Sequence, residues 1–219
     1  MRGWTFDIRS RAFVLLWAAF LAVTGLVISG ATSGLDAAAA SWAGGLSGSG
    51  IGTAMLYVTE GGDVFAMMVL GIVVLAVRRT RRMGAALMIL LVLTTLVTGY
   101  VKCGVDRDRP EGGPDSDLPV PVSRDTFALF CPSGLDSSYP SGHAARTMAF
   151  AVVFGYAVSH WFPRGSYLVL LYPVLVSASR VLILEHYPMD VVGGAVVGLV
   201  LAGMVARKTG ISRILPGGS

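Results

Sequence analysis

The segment from residue 179 to residue 206 reads SRVLILEHYPMDVVGGAVVGLVLAGMVA. Its first part carries an arginine, a glutamate and a histidine, and from Asp190 onward it is an apolar run that reaches Ala206. A run of about this length is typical of a membrane-spanning helix. The segment therefore predicts a helix that enters the hydrocarbon core directly behind a group of ionisable residues.

The composition of the whole chain supports a membrane protein. Of its 219 residues, 54% are hydrophobic and only 14% are charged, whereas charged residues make up about 25% of an average soluble domain. A bundle of spanning helices would use nearly the whole chain, which leaves no room for a separate soluble module. We therefore expect a single membrane-embedded domain over residues 1–219.

Six apolar runs predict an all-α, integral membrane six-helix bundle, with spans near residues 12–30, 63–77, 83–101, 144–162, 166–184 and 190–206. The first run is expected to stay as a spanning helix, because it lacks a clean signal-peptide cleavage site. The second is short, and the apolar stretch 51–59 can lengthen it. Residues 34–50 fit either a short helix at the membrane interface or a plain flexible loop.

Most lysines and arginines fall on one side of these spans, which predicts the topology. They precede the first span, fill the turns at residues 78–82 and 164, and follow the sixth, whereas residues 29–62 contain none. Both termini are therefore expected to be cytoplasmic in a multi-pass protein of the plasma membrane. The net charge of +4 follows from this pattern and forms no continuous basic stripe, so no nucleic-acid partner is expected.

Three polar stretches then lie together on the extracytoplasmic face: residues 102–110, 140–143 and 179–190. They contain two of the three histidines of the chain. Arg109 and Arg180 offer planar forks suited to a phosphate group, and Lys102 adds a point charge. Ser141 and Gly142 precede a predicted helix start, where backbone N–H groups attract anions. The stretches predict a site for a phosphate ester.

The spacing of His186 and Asp190 corresponds to about one helical turn, so the carboxylate can accept the N–H of one ring nitrogen while the other attacks phosphorus. His143 is left to donate a proton to the leaving oxygen and then to activate water. Only the spacing to Asp190 favours His186 over His143 as the nucleophile.

Together, Lys102-x6-Arg109-Pro110, Pro140-Ser141-Gly142-His143 and Ser179-Arg180-x5-His186-x3-Asp190 resemble the three-part signature of the type 2 phosphatidic acid phosphatase superfamily. The resemblance implies a metal-independent phosphatase without a cofactor, acting on a lipid phosphate or isoprenyl diphosphate. It also implies that His186 forms a phosphohistidine, that Asp190 orients it and that His143 protonates the leaving group. The remaining residues of the signature would bind the phosphate: Lys102, Arg109, Ser141, Gly142 and Arg180.

Several alternatives stay open at this stage. The same site would serve a lipid phosphotransferase, and a related cradle holds vanadate in haloperoxidases, although those enzymes as a class are soluble. Cys103 and Cys131 flank one outer loop and could form a disulfide or remain separate thiols. The roles of Arg146 and Glu185, the identity of the lipid and the oligomeric state are not fixed by the sequence.

Overall fold

A computed structural model describes residues 10–113 and 137–208. In these ranges the chain forms eight α-helices and one short 3₁₀ helix, and it contains no β-strand. The helices are α1 Arg11–Ile28, α2 Ser33–Ser47, α3 Gly50–Glu60, α4 Val64–Ala76, α5 Arg81–Val105, α6 Gly142–Val158, α7 Leu171–Leu182 and α8 Pro188–Lys208, with the 3₁₀ helix Gly165–Leu170 leading into α7. The all-α prediction is confirmed.

Four helical segments in the described ranges are long and apolar enough to cross a membrane: α1, α5, the 3₁₀ helix with α7, and α8. Helices α3 and α4 would make a fifth span if they are taken together, but they are bent by 47° at their junction. Helix α6 has only 17 residues and is not among these segments. The structure thus has four or five candidate spans, compared with the six predicted.

Helix boundaries lie within a few residues of the predicted spans, and local capping explains several of them. Asp63 Oδ1 accepts hydrogen bonds from Phe65 N at 2.7 Å and Ala66 N at 3.4 Å, so α4 begins as a new helix after the bend. Helix α8 begins at Pro188, where the missing N–H has no cost in the first turn. Residues 33–47 are helical rather than a loop.

Helix α6 lies at the centre of the fold and packs against α5, α7 and α8. Its closest approach is to α8, where a Cβ atom added at Gly194 would lie 2.2 Å from Ser141 O, and one at Gly198 would lie 2.3 Å from Ala145 O. Small residues four apart let two helix backbones approach in this way. These glycines bring the start of α6 against the start of α8.

The distribution of side chains is the reverse of that in a soluble protein. Large apolar residues are exposed along α1, α4 and α7, among them Leu15, Leu21, Phe65, Val73, Leu171 and Leu175. Ionisable side chains are buried, including Lys102, Arg146, Arg180, Glu185, His186 and Asp190. An apolar outer surface suits a lipid environment, and ionisable groups buried beside the hydrophobic core are rare in such proteins unless they have a function.

Candidate active site

The first and second polar stretches are joined by hydrogen bonds around Ser137 and Ser138. The Nζ of Lys102, in the last turn of α5, donates to the carbonyl oxygen of Ser137. Arg107 N donates to Ser137 Oγ at 3.0 Å, and Ser138 N donates to Arg107 O at 2.7 Å. The loop that leads into α6 is thereby fixed against the loop that leaves α5.

The third stretch contacts both of the others. Ser141 N donates to Asp190 O at 2.9 Å, which ties the N-terminus of α6 to the first turn of α8. Arg109 Nη1 donates to Glu185 Oε2 at 2.7 Å and to Glu185 O at 2.9 Å. The third stretch is therefore hydrogen-bonded directly to the other two, and residues 137–138 link the first stretch to the second, so residues that are distant in sequence form one site.

Two arginines share one carboxylate oxygen at this site. Glu185 Oε2 accepts from Arg109 and also from Arg180 Nη2, at 3.2 Å, while Arg180 Nη1 donates to Thr59 Oγ1 at 3.2 Å. Within the described part of the chain, Arg109 Nε and Nη2 are buried and have no hydrogen-bond partner. Buried donors without partners are costly, so these two groups favour an anion as a ligand.

His186 and Asp190 are brought together just before and within the first turn of α8. His186 Nδ1 lies 3.6 Å from Asp190 Oδ2, and both side chains are almost fully buried. Asp190 Oδ2 accepts from Tyr187 N at 2.8 Å, and the His186 backbone N–H donates to Arg180 O at 3.1 Å. These hydrogen bonds position the Asp190 carboxylate and the His186 backbone, and the two side chains lie within ion-pair distance of each other.

His143 is fully buried in the first turn of α6. Its Nδ1 lies 3.2 Å from Arg146 Nη2, and because a guanidinium can only donate, Nδ1 must be the acceptor. The imidazole is then uncharged in this state, with its proton on Nε2. Arg146 also donates from Nε and Nη2 to Gly62 O, at 3.1 and 3.0 Å, so it links His143 to the bend between α3 and α4.

Arg107 is a site residue that the sequence reasoning missed. Its Nη1 donates to Asp190 Oδ1 at 2.6 Å, its Nη2 pairs with Asp36 on α2, and its guanidinium lies 4.3 Å from the centre of the Tyr187 ring. Burial opposes the charge of Arg107, but the two carboxylates outweigh that effect and raise its pKa. The signal in the sequence was Asp36, the one charged residue of α2. A buried carboxylate needs a cation as partner, and Arg107 is that cation.

Two depressions adjoin the site. One, of about 750 Å³, lies between α2 and the loop after α5, and Asp36, Arg107 and Tyr187 are among its lining residues. The other, of about 400 Å³, is almost wholly apolar and lies between α2, α7 and α8, with Trp42 and Pro188 in its wall. Residues close to His186 in the chain thus line both depressions, Tyr187 the first and Pro188 the second.

All eight residues predicted to bind or react with phosphate fall within the described ranges, and all are buried or nearly so. The contacts above join them into one cluster through Glu185, Asp190 and the loop of residues 137–141. The predicted disulfide is a different case, since Cys131 lies outside the described residues. It remains a prediction.

Comparisons with known proteins support the resemblance. The family model of the PAP2 superfamily matches residues 82–212. A lipid A 1-phosphatase from Rhizobium johnstonii is 28% identical over 139 residues, which cover 62% of this chain and 53% of that protein. An undecaprenyl-diphosphatase from Sulfolobus acidocaldarius is 28% identical over 144 residues, which cover 66% of this chain and 64% of that protein. The chain thus spans between about half and two thirds of the length of these relatives.

The fold is also similar to that of a solved structure. The crystal structure of a transmembrane PAP2-type phosphatidylglycerolphosphate phosphatase from Bacillus subtilis superposes with a TM-score of 0.69 at 22% identity. The likeness covers 90% of this chain and 94% of that one. At this level of identity it shows a shared fold.

Proposed function

The chain belongs to the PAP2 superfamily, and from this we propose that it is a membrane phosphatase that hydrolyses a lipid phosphate or isoprenyl diphosphate. The observation that carries the proposal is the hydrogen bonding that joins the three polar stretches, with residues 137–138 linking the first to the second, and that brings cations, two histidines and a carboxylate into one buried site. A buried cluster of ionisable residues in a membrane protein is expected to have a function.

In this proposal the phosphate is held by Lys102, Arg109 and Arg180, together with the Ser141 hydroxyl and the Gly142 backbone N–H, since the Ser141 backbone N–H already donates to Asp190 O. The buried Nε and Nη2 of Arg109, which have no partner among the described residues, supply two parallel donors for phosphate oxygens. Gly142 is the first residue of α6, so the helix N-terminus adds its dipole and N–H groups. These donors would stabilise the charge on the transferring phosphoryl group.

His186 is the proposed nucleophile. With Nδ1–H directed to Asp190, its Nε2 carries the lone pair that attacks phosphorus, and the bond from phosphorus to the lipid oxygen breaks as the N–P bond forms. The carboxylate stabilises the positive charge that develops on the ring. In the second step water attacks the phosphohistidine, the N–P bond breaks, and inorganic phosphate leaves.

His143 is the proposed proton donor and acceptor. Only its imidazolium form can protonate the leaving oxygen, and that form has no lone pair for Arg146. The contact between Arg146 and His143 Nδ1 must therefore open in the first step. In the second step the uncharged ring takes a proton from the attacking water, and because its lone pair on Nδ1 faces Arg146, the same contact must be open in that step.

The proposed setting is a six-span bundle in the plasma membrane, with both termini in the cytoplasm and the site at the extracytoplasmic face. The asymmetry of lysine and arginine supports this orientation. A six-span count requires α3 and α4 to act as one bent span and α6 to cross as well. The apolar groove beside Pro188 suits the hydrocarbon chain of a substrate whose phosphate lies at His186.

A panel assay tests the proposal. Phosphate release would be measured in detergent from phosphatidate, phosphatidylglycerophosphate and polyprenyl diphosphate, with and without vanadate, using the wild type and His186→Ala. We expect release from at least one lipid, inhibition by vanadate and loss of activity in the variant. No release from any lipid would contradict the proposal, and phosphate found on an acceptor lipid would indicate a phosphotransferase instead.

A further inference from the structure

Glu185 is the one carboxylate among the described residues that contacts both arginines of the phosphate site. It is fully buried, and its Oε2 accepts from Arg109 Nη1 at 2.7 Å and from Arg180 Nη2 at 3.2 Å. It also precedes His186 directly in the chain. The signature of the family does not include this position, and neither histidine role requires it.

A carboxylate in this place has two effects on the arginines. It fixes the orientation of both guanidinium forks, because each gives one N–H to the same oxygen. It also offsets part of their positive charge in a buried region, where charges act strongly on one another. The first effect favours phosphate binding, and the second weakens it.

The remaining donors of Arg109 indicate how the effects combine. Its Nε and Nη2 are buried and have no partner among the described residues, while Nη1 is held by the Glu185 side chain and carbonyl. Glu185 thus occupies one edge of the fork and leaves the other available. A phosphate oxygen can bind there without displacing the carboxylate, so the anion and Glu185 would be present together.

We infer that Glu185 is a positioning residue that sets the affinity of the site for phosphate. It holds Arg109 and Arg180 in place and lowers their combined charge, so that inorganic phosphate binds weakly enough to leave after each turnover. Binding energy that is the same for product and transition state lowers KM without raising kcat. By offsetting part of the charge of the two arginines, Glu185 would limit such uniform binding of phosphate. The inference rests on the proposed function, because it concerns the same phosphate site.

The test is Glu185→Gln, which keeps the shape and an acceptor oxygen but removes the charge. The dissociation constant of inorganic phosphate would be measured from the rise in melting temperature with phosphate concentration, and the inhibition constant from turnover. We expect phosphate to bind about tenfold more tightly, with kcat and KM both reduced. A purely structural role predicts the opposite, since loosened arginines would bind phosphate more weakly.

Two further variants complete the design. Glu111→Gln removes an exposed carboxylate from the same loop region and should leave the dissociation constant within about twofold of wild type. Glu185→Asp keeps the charge but is too short to reach both arginines, so it should weaken phosphate binding. This variant serves as the test if Glu185→Gln does not fold, and tighter binding by Glu185→Asp would overturn the inference.

The outcomes separate the two proposals. Phosphate binding that is unchanged or weaker in Glu185→Gln, while the wild type binds phosphate, overturns the role of Glu185 alone. A wild-type chain that neither binds phosphate nor releases it from any lipid overturns the proposed function, and this inference with it.

Discussion

Replacing Arg107 with glutamine removes the cation that holds the proposed catalytic carboxylate. The guanidinium donates to Asp190 Oδ1 at 2.6 Å and pairs with Asp36 on α2. A hydrogen bond to a charged group contributes about 1.5–3 kcal/mol, which corresponds to roughly a 10- to 150-fold change in rate if it is lost in the transition state. We therefore expect kcat/KM of Arg107→Gln to fall by roughly that factor.

The pH profile separates this role from a general loss of structure. Asp190 must be ionised to stabilise the cation on His186, and loss of a neighbouring positive charge favours the protonated carboxyl. The acid limb of kcat/KM should therefore move to higher pH in Arg107→Gln. Arg79→Gln, an exposed arginine in the turn between α4 and α5, is the matched control and should leave the profile unchanged.

The assay is phosphate release from the best lipid of the panel, measured across pH in detergent, with the melting temperature recorded for each variant. A folded Arg107→Gln protein with wild-type kcat/KM and an unshifted acid limb would refute the reasoning. It would mean that the contacts of Asp190 with Tyr187 N–H and Ser138 are enough to hold the carboxylate.

Two other predictions follow from packing and from the cysteines. Gly194→Ala should destabilise the fold by about 1–3 kcal/mol and reduce activity, because its Cβ would lie 2.2 Å from Ser141 O. The control Gly25→Ala, whose Cβ would meet nothing within 4 Å, should change neither stability nor activity. Equal unfolding curves in detergent for the two variants would contradict this prediction. If Cys103 and Cys131 are bridged as predicted, a thiol-blocking reagent should add mass to the unfolded protein only after reduction, and labelling without reduction would show two separate thiols.

The sequence predicted the elements whose limits depend on local properties. Apolar runs locate the helices because the thickness of a bilayer sets their length, and the first residue of α8 follows from the fixed φ of Pro188. The resemblance to the PAP2 superfamily was confirmed for the same reason, since it depends on residue types at fixed spacings. The number of spans was less certain because α6 is short and the α3–α4 pair is bent.

The bend itself depends on contacts that are distant in the sequence. Gly62 O accepts from Arg146, 84 residues away, and a Cβ at Gly62 would lie 2.9 Å from the His143 ring. Glycine there lets the break lie against the site, but a Gly-Gly pair in an apolar region does not identify its partner. The predicted second span was accordingly continuous, whereas the observed one is broken at the residues that contact His143.

The same limit applies to the polar contacts of the site. The pairing of Arg107 with Asp36 joins residues 71 positions apart, and the sharing of Glu185 by two arginines depends on how three segments meet. Residue types alone indicate that the site contains charged groups, but they do not indicate which cation pairs with which carboxylate. The eight candidate residues could be named from the sequence because each belongs to a fixed motif, whereas Arg107 and Glu185 were not assigned because their contacts arise from tertiary structure.

The central claim is that the three polar stretches form one phosphate site with His186 as the nucleophile. The most direct test is to quench a reaction with a ³²P-labelled lipid phosphate under denaturing conditions and to map the labelled peptide by mass spectrometry. The account predicts a phosphohistidine at His186 that is absent in His186→Ala. Label on any other residue, or full turnover by His186→Ala, would contradict it.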